Sequence, residues 1–152
     1  MEAFEIERKF LVKKLPEDLE KYECRQLEQG YLCTEPVVRI RRSDDTYTLT
    51  YKGKGLLVRE EYNLPLTKEA YEHLKPKADG ILITKKRYKI PYQSYMIELD
   101  IFEGELASLQ LAEVEFPTKE EAEAFEAPEW FGKDVTFSGQ YQNSSLSKRK
   151  KK

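Results

Sequence analysis

Along most of this 152-residue chain, apolar and fully charged residues alternate one by one, and this pattern restricts the fold more than any other feature. In an extended strand, residues i, i+2 and i+4 share a face. Glu5, Glu7 and Lys9 thus lie on one face of a first strand, with Phe4, Ile6 and Phe10 on the other. By the same parity Arg39 and Arg41 oppose Val38 and Ile40, Thr48, Thr50 and Lys52 oppose Tyr47, Leu49 and Tyr51, and Arg59 shares a face with Glu61. Lys85, Arg87 and Lys89 form another set, Glu98 and Asp100 oppose Ile97, Leu99 and Ile101, and Glu113 and Glu115 oppose Val114 and Phe116. An antiparallel sheet with one wet face is the ordinary source of alternation. Such a face would also carry scattered Ser, Thr, Asn and Gln, whereas here most polar positions are full charges, of one sign within most strands. Like charges two apart repel unless an opposite charge sits between them. Arg39 with Arg41, and Glu113 with Glu115, therefore read as pairs arranged to hold ligands.

The segments that read as strands are 2–12, 24–33, 36–43, 46–54, 57–65, 81–91, 95–103 and 109–117. Asp44-Asp45 and Gly53-Lys54-Gly55 mark hairpin turns, and Gly104 closes a strand. The period changes twice. Thr67-Lys68-Glu69 opens a helix through about Lys75, stopped by Pro76; Thr118 with Glu121 forms a capping box for a second, through about Glu126 and stopped by Pro128. A helical turn is expected near Pro16–Lys21, and Trp130-Phe131-Gly132 reads as a loop packed on the strands. No linker interrupts the pattern, so residues 1–143 read as one domain and 144–152, ending in Lys148 to Lys152, as a basic, loose tail.

Charged residues make up 36% of the chain and hydrophobic ones 39%, so the charge needs a destination, while ten Tyr and seven Phe argue against disorder. Lys and Arg total 26 against 28 Asp and Glu, a balance that excludes a general nucleic-acid coat protein. Cys24 and Cys33 have no CxxC pairing or neighbouring His and read as reduced thiols. No apolar run follows Met1, so neither signal peptide nor spanning helix is expected and the protein reads as cytoplasmic, without a membrane partner. His73 falls in the first helix and reads as a surface or interface residue.

A polyanion together with a hard cation is the chemistry that suits such faces. Mg²⁺ or Mn²⁺ takes oxygen ligands from one or two carboxylates, water and phosphate oxygens. Arg binds phosphate bidentately and Lys neutralises it as a point charge. A sheet closed into a barrel of roughly eight strands would point both kinds of group into a lumen that holds one small ligand. The expected fold is thus α+β, a single-domain eight-stranded antiparallel β-barrel with a few short helices packed outside.

Glu5-Ile6-Glu7-Arg8-Lys9 is an ExExK signature, weak alone but specific with its companions. Gln29-Gly30-Tyr31-Leu32, Arg39-Ile40-Arg41, Leu49-Thr50-Tyr51-Lys52, Arg59-Glu60-Glu61-Tyr62, Lys85-Lys86-Arg87-Tyr88, Glu98-Leu99-Asp100 and Glu113-Val114-Glu115-Phe116 follow in order. In these motifs, from about residue 2 to 143, the chain resembles the CYTH or triphosphate tunnel metalloenzyme superfamily, most closely its compact bacterial tripolyphosphatases. The resemblance implies an eight-stranded tunnel open at both ends and metal-dependent hydrolysis of a triphosphate to orthophosphate. It further implies that Arg39, Arg41, Lys52, Arg59, Lys85 and Arg87, joined by Lys9, grip the phosphates. Glu5, Glu7, Glu113 and Glu115 would hold one or two divalent cations, Mg²⁺ or Mn²⁺, with Glu61, Glu98 and Asp100 as further ligands or supporting partners. Lys85 and Tyr31 match positions implicated in orienting or deprotonating the attacking water; the plainer alternative is a phosphate contact and a packed rim residue.

The chain departs from the family at Phe137-Ser138-Gly139-Gln140-Tyr141-Gln142-Asn143, where Gly139 and Gln140 stand in place of the usual basic residues before an aromatic-x-Asn. Other reactions on the same fold are adenylyl cyclisation and thiamine or nucleoside triphosphate hydrolysis, which need a pocket for an organic group that the sequence does not reveal. A non-enzymatic polyphosphate-binding module would have little use for the acidic pairs. The expected partner is a small-molecule triphosphate, acting on a monomer or homodimer.

Overall fold

Each alternating segment forms a strand, and the first strand closes them into a ring. The computed structural model describes residues 4–147. Its strands are β1 (Phe4–Val12), β2 (Glu23–Thr34), β3 (Val37–Ser43), β4 (Thr46–Lys52), β5 (Val58–Leu66), β6 (Asp79–Tyr92), β7 (Tyr95–Glu103), β8 (Gln110–Glu115) and β9 (Phe131–Asp134). The order is β5-β4-β3-β2-β6-β7-β8-β1-β9, all pairings are antiparallel, and a further β5–β1 pairing closes eight strands into a barrel. β1 has three partners: Phe4–Ile6 pair with β5, Glu7–Leu11 with β8, and Phe10 and Val12 with β9.

The eight expected strands match the eight barrel strands, with ends differing by a few residues. β9 is the strand that the sequence reading took for a packed loop. At four residues containing a Gly it is too short for alternation to show.

Two short helices lie outside the ring. α1 (Lys68–Leu74) begins where Thr67 Oγ1 accepts from the Ala70 N–H, and buries Tyr71. α2 (Lys119–Ala124) starts at the expected capping box, in which Thr118 Oγ1 accepts from the Glu121 N–H at 3.1 Å and donates to Glu121 Oε2 at 3.4 Å. Ala122 of α2 packs with Phe10, Leu99, Ala112, Val114, Phe116 and Phe131, the outward apolar faces of β1, β7, β8 and β9. Parity thus separates an outer apolar layer from an inner charged one. His73 is exposed on α1, and the free thiols Cys24 and Cys33 are respectively exposed and half-buried.

The lumen is not polar throughout. Tyr31, Val37, Ile81, Ile83, Phe102 and Leu111 form a buried apolar cluster with Val135 and Leu146. Ile81 and Ile83 share the inward parity of Lys85, Phe102 that of Asp100, and Leu111 that of Glu113, so this cluster fills the barrel at one end. The tunnel expected to open at both ends is therefore narrowed by apolar side chains at one. The plug includes the chain's last turns: α3 (Asn143–Leu146) buries Leu146, and the Ile81 N–H donates to the Ser147 carbonyl at 2.7 Å. The packed chain runs to Ser147, past the boundary expected at residue 143, because Leu146 supplies an apolar anchor that a polar, Lys-rich stretch conceals. Residues 148–152 of the expected tail lie outside the described residues.

If α3 is part of the core, Leu146→Ala leaves a cavity at a fully buried site. The expected loss is about 2–5 kcal/mol, read by denaturant or thermal unfolding. A change below about 0.5 kcal/mol, as on a surface, would return these residues to a loose tail.

Candidate active site

The inward faces meet in a polar cavity of about 180 Å³. β1 contributes Glu5, Glu7 and Lys9, β3 Arg39 and Arg41, β4 Lys52, β5 Arg59 and Glu61, β6 Arg87, β7 Glu98, and β8 Glu113 and Glu115. Tyr31 lines it where the charged lumen meets the apolar plug. Of the residues expected to act as catalysts, phosphate contacts or metal ligands, Lys85 and Asp100 do not line the cavity. They sit one layer behind it, both fully buried.

The carboxylates crowd one another. Register sets Glu7 opposite Glu115, and Glu113 opposite both Lys9 and Glu98. Like charges directly opposed destabilise a sheet, and the proton affinities reflect it. Burial raises Glu5 to a pKa of about 7, helped by its neighbour Glu61 and opposed by Lys52. Burial, then the charges of Glu113 and Glu5, push Glu7 well above the usual carboxylate range. Glu113 behaves oppositely: burial is outweighed by Lys9 and Arg87, which hold it well below. Its Oε1 is buried without a hydrogen-bond partner among the described residues, the nearest ammonium and guanidinium nitrogens being 4.0 and 3.9 Å away. Glu115 is exposed, and its carboxyl is raised by partial burial and by Glu61 and Glu98.

The cations divide into two groups. Lys52 Nζ donates to Glu5 Oε1 at 3.0 Å and lies 3.8 Å from Glu61. Arg87 grips Asp100 with two bonds, Nε to Oδ1 at 2.7 Å and Nη2 to Oδ2 at 2.9 Å, and its Nη1 lies 3.3 Å from Glu98. By contrast Arg39, Arg41 and Arg59 enter no ion pair among the described residues. Arg39 Nη2 donates to Thr50 Oγ1 at 3.2 Å while its buried Nε has no partner. Arg41 Nε donates to the Gln29 amide oxygen at 2.8 Å, and Arg59 Nε to the Gly53 carbonyl at 3.2 Å. Burial and the charges of Arg39 and Arg87 lower Arg41 to about 9, still cationic at neutral pH. Lumen guanidiniums that lack carboxylates are built for an anion.

Asp100 was expected among metal ligands or their supports. Besides the Arg87 bonds, its Oδ2 lies 2.7 Å from Lys85 Nζ, so both oxygens are engaged by cations. Burial opposes its ionisation, but Arg87 and Lys85 hold its pKa down. Lys85 also donates to Asn143 Oδ1 at 2.9 Å and stands 5.0 Å from the Phe102 ring centroid. Burial lowers Lys85 to about 7, with Arg87 and Arg41 adding to the effect and Asp100 opposing it.

Several members of the site were not assigned from sequence. Gln29 is fully buried and positions Arg41; Gln142 and Asn143 line the cavity from the plugging segment; and the Tyr141 carbonyl accepts from Lys9 Nζ at 3.1 Å. Gln29 carries the inward parity of Tyr31, a signal that was available but drowned by the charges. Gly139 and Gln140, the departure from the basic pattern, are exposed and do not line the cavity.

The acidic set has the donors for a hard divalent cation, although among the described residues no three carboxylates converge into a ready ligand shell. Mg²⁺ needs no such shell, since one or two carboxylates suffice when waters and phosphate oxygens complete it. The unpartnered Glu113 oxygen and the raised carboxyls of Glu5 and Glu7 fit a cation that shares its shell with an anionic ligand.

Comparisons with known proteins agree with this geometry. The CYTH domain family matches residues 3–151. An inorganic triphosphatase of Nitrosomonas europaea is 39% identical over 148 residues, 94% of this chain and 96% of that protein. One from Acetivibrio thermocellus is 35% identical over 151 residues, covering 95% and 93%. The solved structure of an inorganic triphosphatase superposes with a TM-score of 0.72 at 36% identity, covering 95% of each chain. A Pyrococcus horikoshii protein, at 21% identity and a TM-score of 0.59 over 78% of this chain and 82% of its own, shares the fold alone. The alternation, the closed barrel and the full-length likeness lead to one conclusion: the chain belongs to the CYTH domain family.

Proposed function

We propose that this protein hydrolyses a triphosphate, inorganic tripolyphosphate foremost, releasing orthophosphate with a divalent metal, Mg²⁺ or Mn²⁺. The observation that carries the reading is a closed lumen in which guanidiniums without carboxylates face carboxylates crowded against one another. Full-length relatives that are inorganic triphosphatases support it. Among the described residues no aromatic side chain lines the cavity except Tyr31 at the plug, which argues against a nucleotide or thiamine substrate.

Arg39, Arg41 and Arg59 bind the phosphoryl oxygens, with Lys9, Lys52 and Arg87 exchanging part of their ion pairing for phosphate. Glu7 and Glu115, opposed in register, hold the metal, with Glu5 and Glu113 beside them and Glu61 and Glu98 supporting. When bound, the metal supplies Lewis-acid stabilisation of the charge that develops on the phosphate. The guanidiniums add preorganised electrostatic stabilisation and hold the chain for in-line attack. Lys85, lowered to about 7 but one layer behind the cavity, takes up the proton of the attacking water by relay through intervening water, and Tyr31 orients the attacking water. A second role for Lys85 rests on its burial behind Arg87: holding Asp100, and through it the guanidinium. The exposed thiol of Cys24 suits a reducing, cytoplasmic setting.

With purified protein and Mg²⁺, Glu7→Gln and Glu115→Gln should each lower orthophosphate release from tripolyphosphate by at least about 100-fold, with substrate binding nearly retained. Normal turnover by both variants would remove them from the metal site. Lys85→Ala should cut kcat by about 10²–10⁴-fold and abolish a rise in kcat through about pH 7, leaving KM little changed. A higher KM with that limb intact would assign Lys85 the supporting role.

Without metal, the folded state holds protons on Glu5 that the unfolded chain releases above its ordinary 4.5, so this contribution to stability falls as pH rises from about 4.5 to about 7. Unfolding monitored across that window should show the fall, Glu5→Gln should flatten it, and Mg²⁺ should stabilise more above pH 7 than below 5. An equal metal effect at both ends would contradict the assignment of these carboxylates.

A further inference from the structure

One inward cation of the alternating pattern, Lys89, has no place in the scheme above. Its strand shows where it lies. β2, β6 and β7 continue past their neighbours: β2 last pairs with β3 at Leu27–Ser43, yet pairs on with β6 through Arg25–Arg87 and Glu23–Lys89. These strands form a wall projecting beyond the ring at the end opposite the plug. Its inner face carries Arg25, with the parity of Leu27 and Gln29, and Lys89, with the parity of Lys85 and Arg87. Exposure rises in the same direction: Asp100 is 0% exposed, its strand neighbour in parity Glu98 32%, and Arg25 42%.

We propose that Arg25 and Lys89 form an outer phosphate subsite, which takes the phosphoryl units by which a linear polyphosphate exceeds three. The proposal rests on the triphosphate reading and extends it. Apolar side chains occupy the lumen beyond Tyr31, and this wall offers the additional phosphoryl units of a longer chain a charged face in the other direction. Arg25 directly opposes Arg87, whose guanidinium is already bonded to Asp100, and Lys89 directly opposes Glu23 and Glu98 in register. Glu23 and Glu98 are the carboxylates nearby. Glu23 holds Arg25 Nε at 3.0 Å, but the two side chains are 55% and 42% exposed, and an ion pair so exposed is weak enough to yield to phosphate.

The test measures binding of tripolyphosphate and pentapolyphosphate by titration calorimetry at low ionic strength with chelator present, so that turnover does not deplete either. The full-length protein should bind pentapolyphosphate about tenfold more tightly than tripolyphosphate. Arg25→Ala combined with Lys89→Ala should erase that preference and leave tripolyphosphate within about twofold. Lys86→Ala with Arg42→Ala, which removes the same charge from the outer face, should leave the preference intact. Equal affinity of the wild type for both chains would overturn the proposal, as would a proportional loss for both ligands in the first variant or an equal loss of preference in the outer-face control. Failure of the wild type to release orthophosphate from tripolyphosphate would instead sink the hydrolysis reading, because the subsite is judged on binding alone.

Discussion

The structure depends on how a barrel interior full of charge is made tolerable. Isolated ions cannot be buried at reasonable cost, and the answer is the network of Lys85, Asp100 and Arg87. A two-toothed guanidinium–carboxylate pair is backed by an ammonium at 2.7 Å, with Asn143 satisfying another donor. This network is complete in itself. It acts as a fixed wall from which Arg87 presents its remaining surface to the cavity. Were Asp100 missing, two buried cations would face each other with only Glu98 and Glu113 to balance them. Around this neutralised centre the other charges are left deliberately incomplete: three arginines without acids on one side, four glutamates pressed together on the other.

That imbalance links fold to chemistry. Parity sends every second residue inward, closure of the ring removes bulk water from both signs at once, and strand register decides which charges collide. Glu7 opposite Glu115 is unfavourable in an empty barrel and would be favourable around a cation. The strain is therefore a form of preorganisation: groups are held where charge will arrive, and little rearrangement is needed when it does.

Much of this was legible in the chain. The period of two located eight strands, Thr118 and Glu121 located a capping box, and parity alone put Glu5, Glu7, Arg39, Arg41, Glu113 and Glu115 on inward faces. What escaped has physical reasons. β9 is short, broken by Gly132, and paired only through β1, so its identity as a strand is conferred by tertiary contact. The plug escaped because Ile81, Ile83, Phe102 and Leu111 read as ordinary members of apolar–polar strands; only register shows that they stack at one level of the lumen. Leu146 is a single apolar residue beside a lysine run, too little pattern to predict a core position. The setting of Lys85 behind Arg87 depends on side-chain reach, which sequence spacing does not encode.

β1 is the strand that completes the ring, and it carries the acidic signature on the edge between β5 and β8. Its partners lie at least fifty and one hundred residues away along the chain, separations that make such pairings slow to form. A folding intermediate holding only the continuous meander β2-β3-β4-β5 would display Arg39, Arg41 and Lys52 with no Glu5 or Glu7 to face them. On the proposed assignment the carboxylates of β1 meet the basic face of this meander only when the ring closes, and a partly assembled chain would offer polyanions a basic sheet without them.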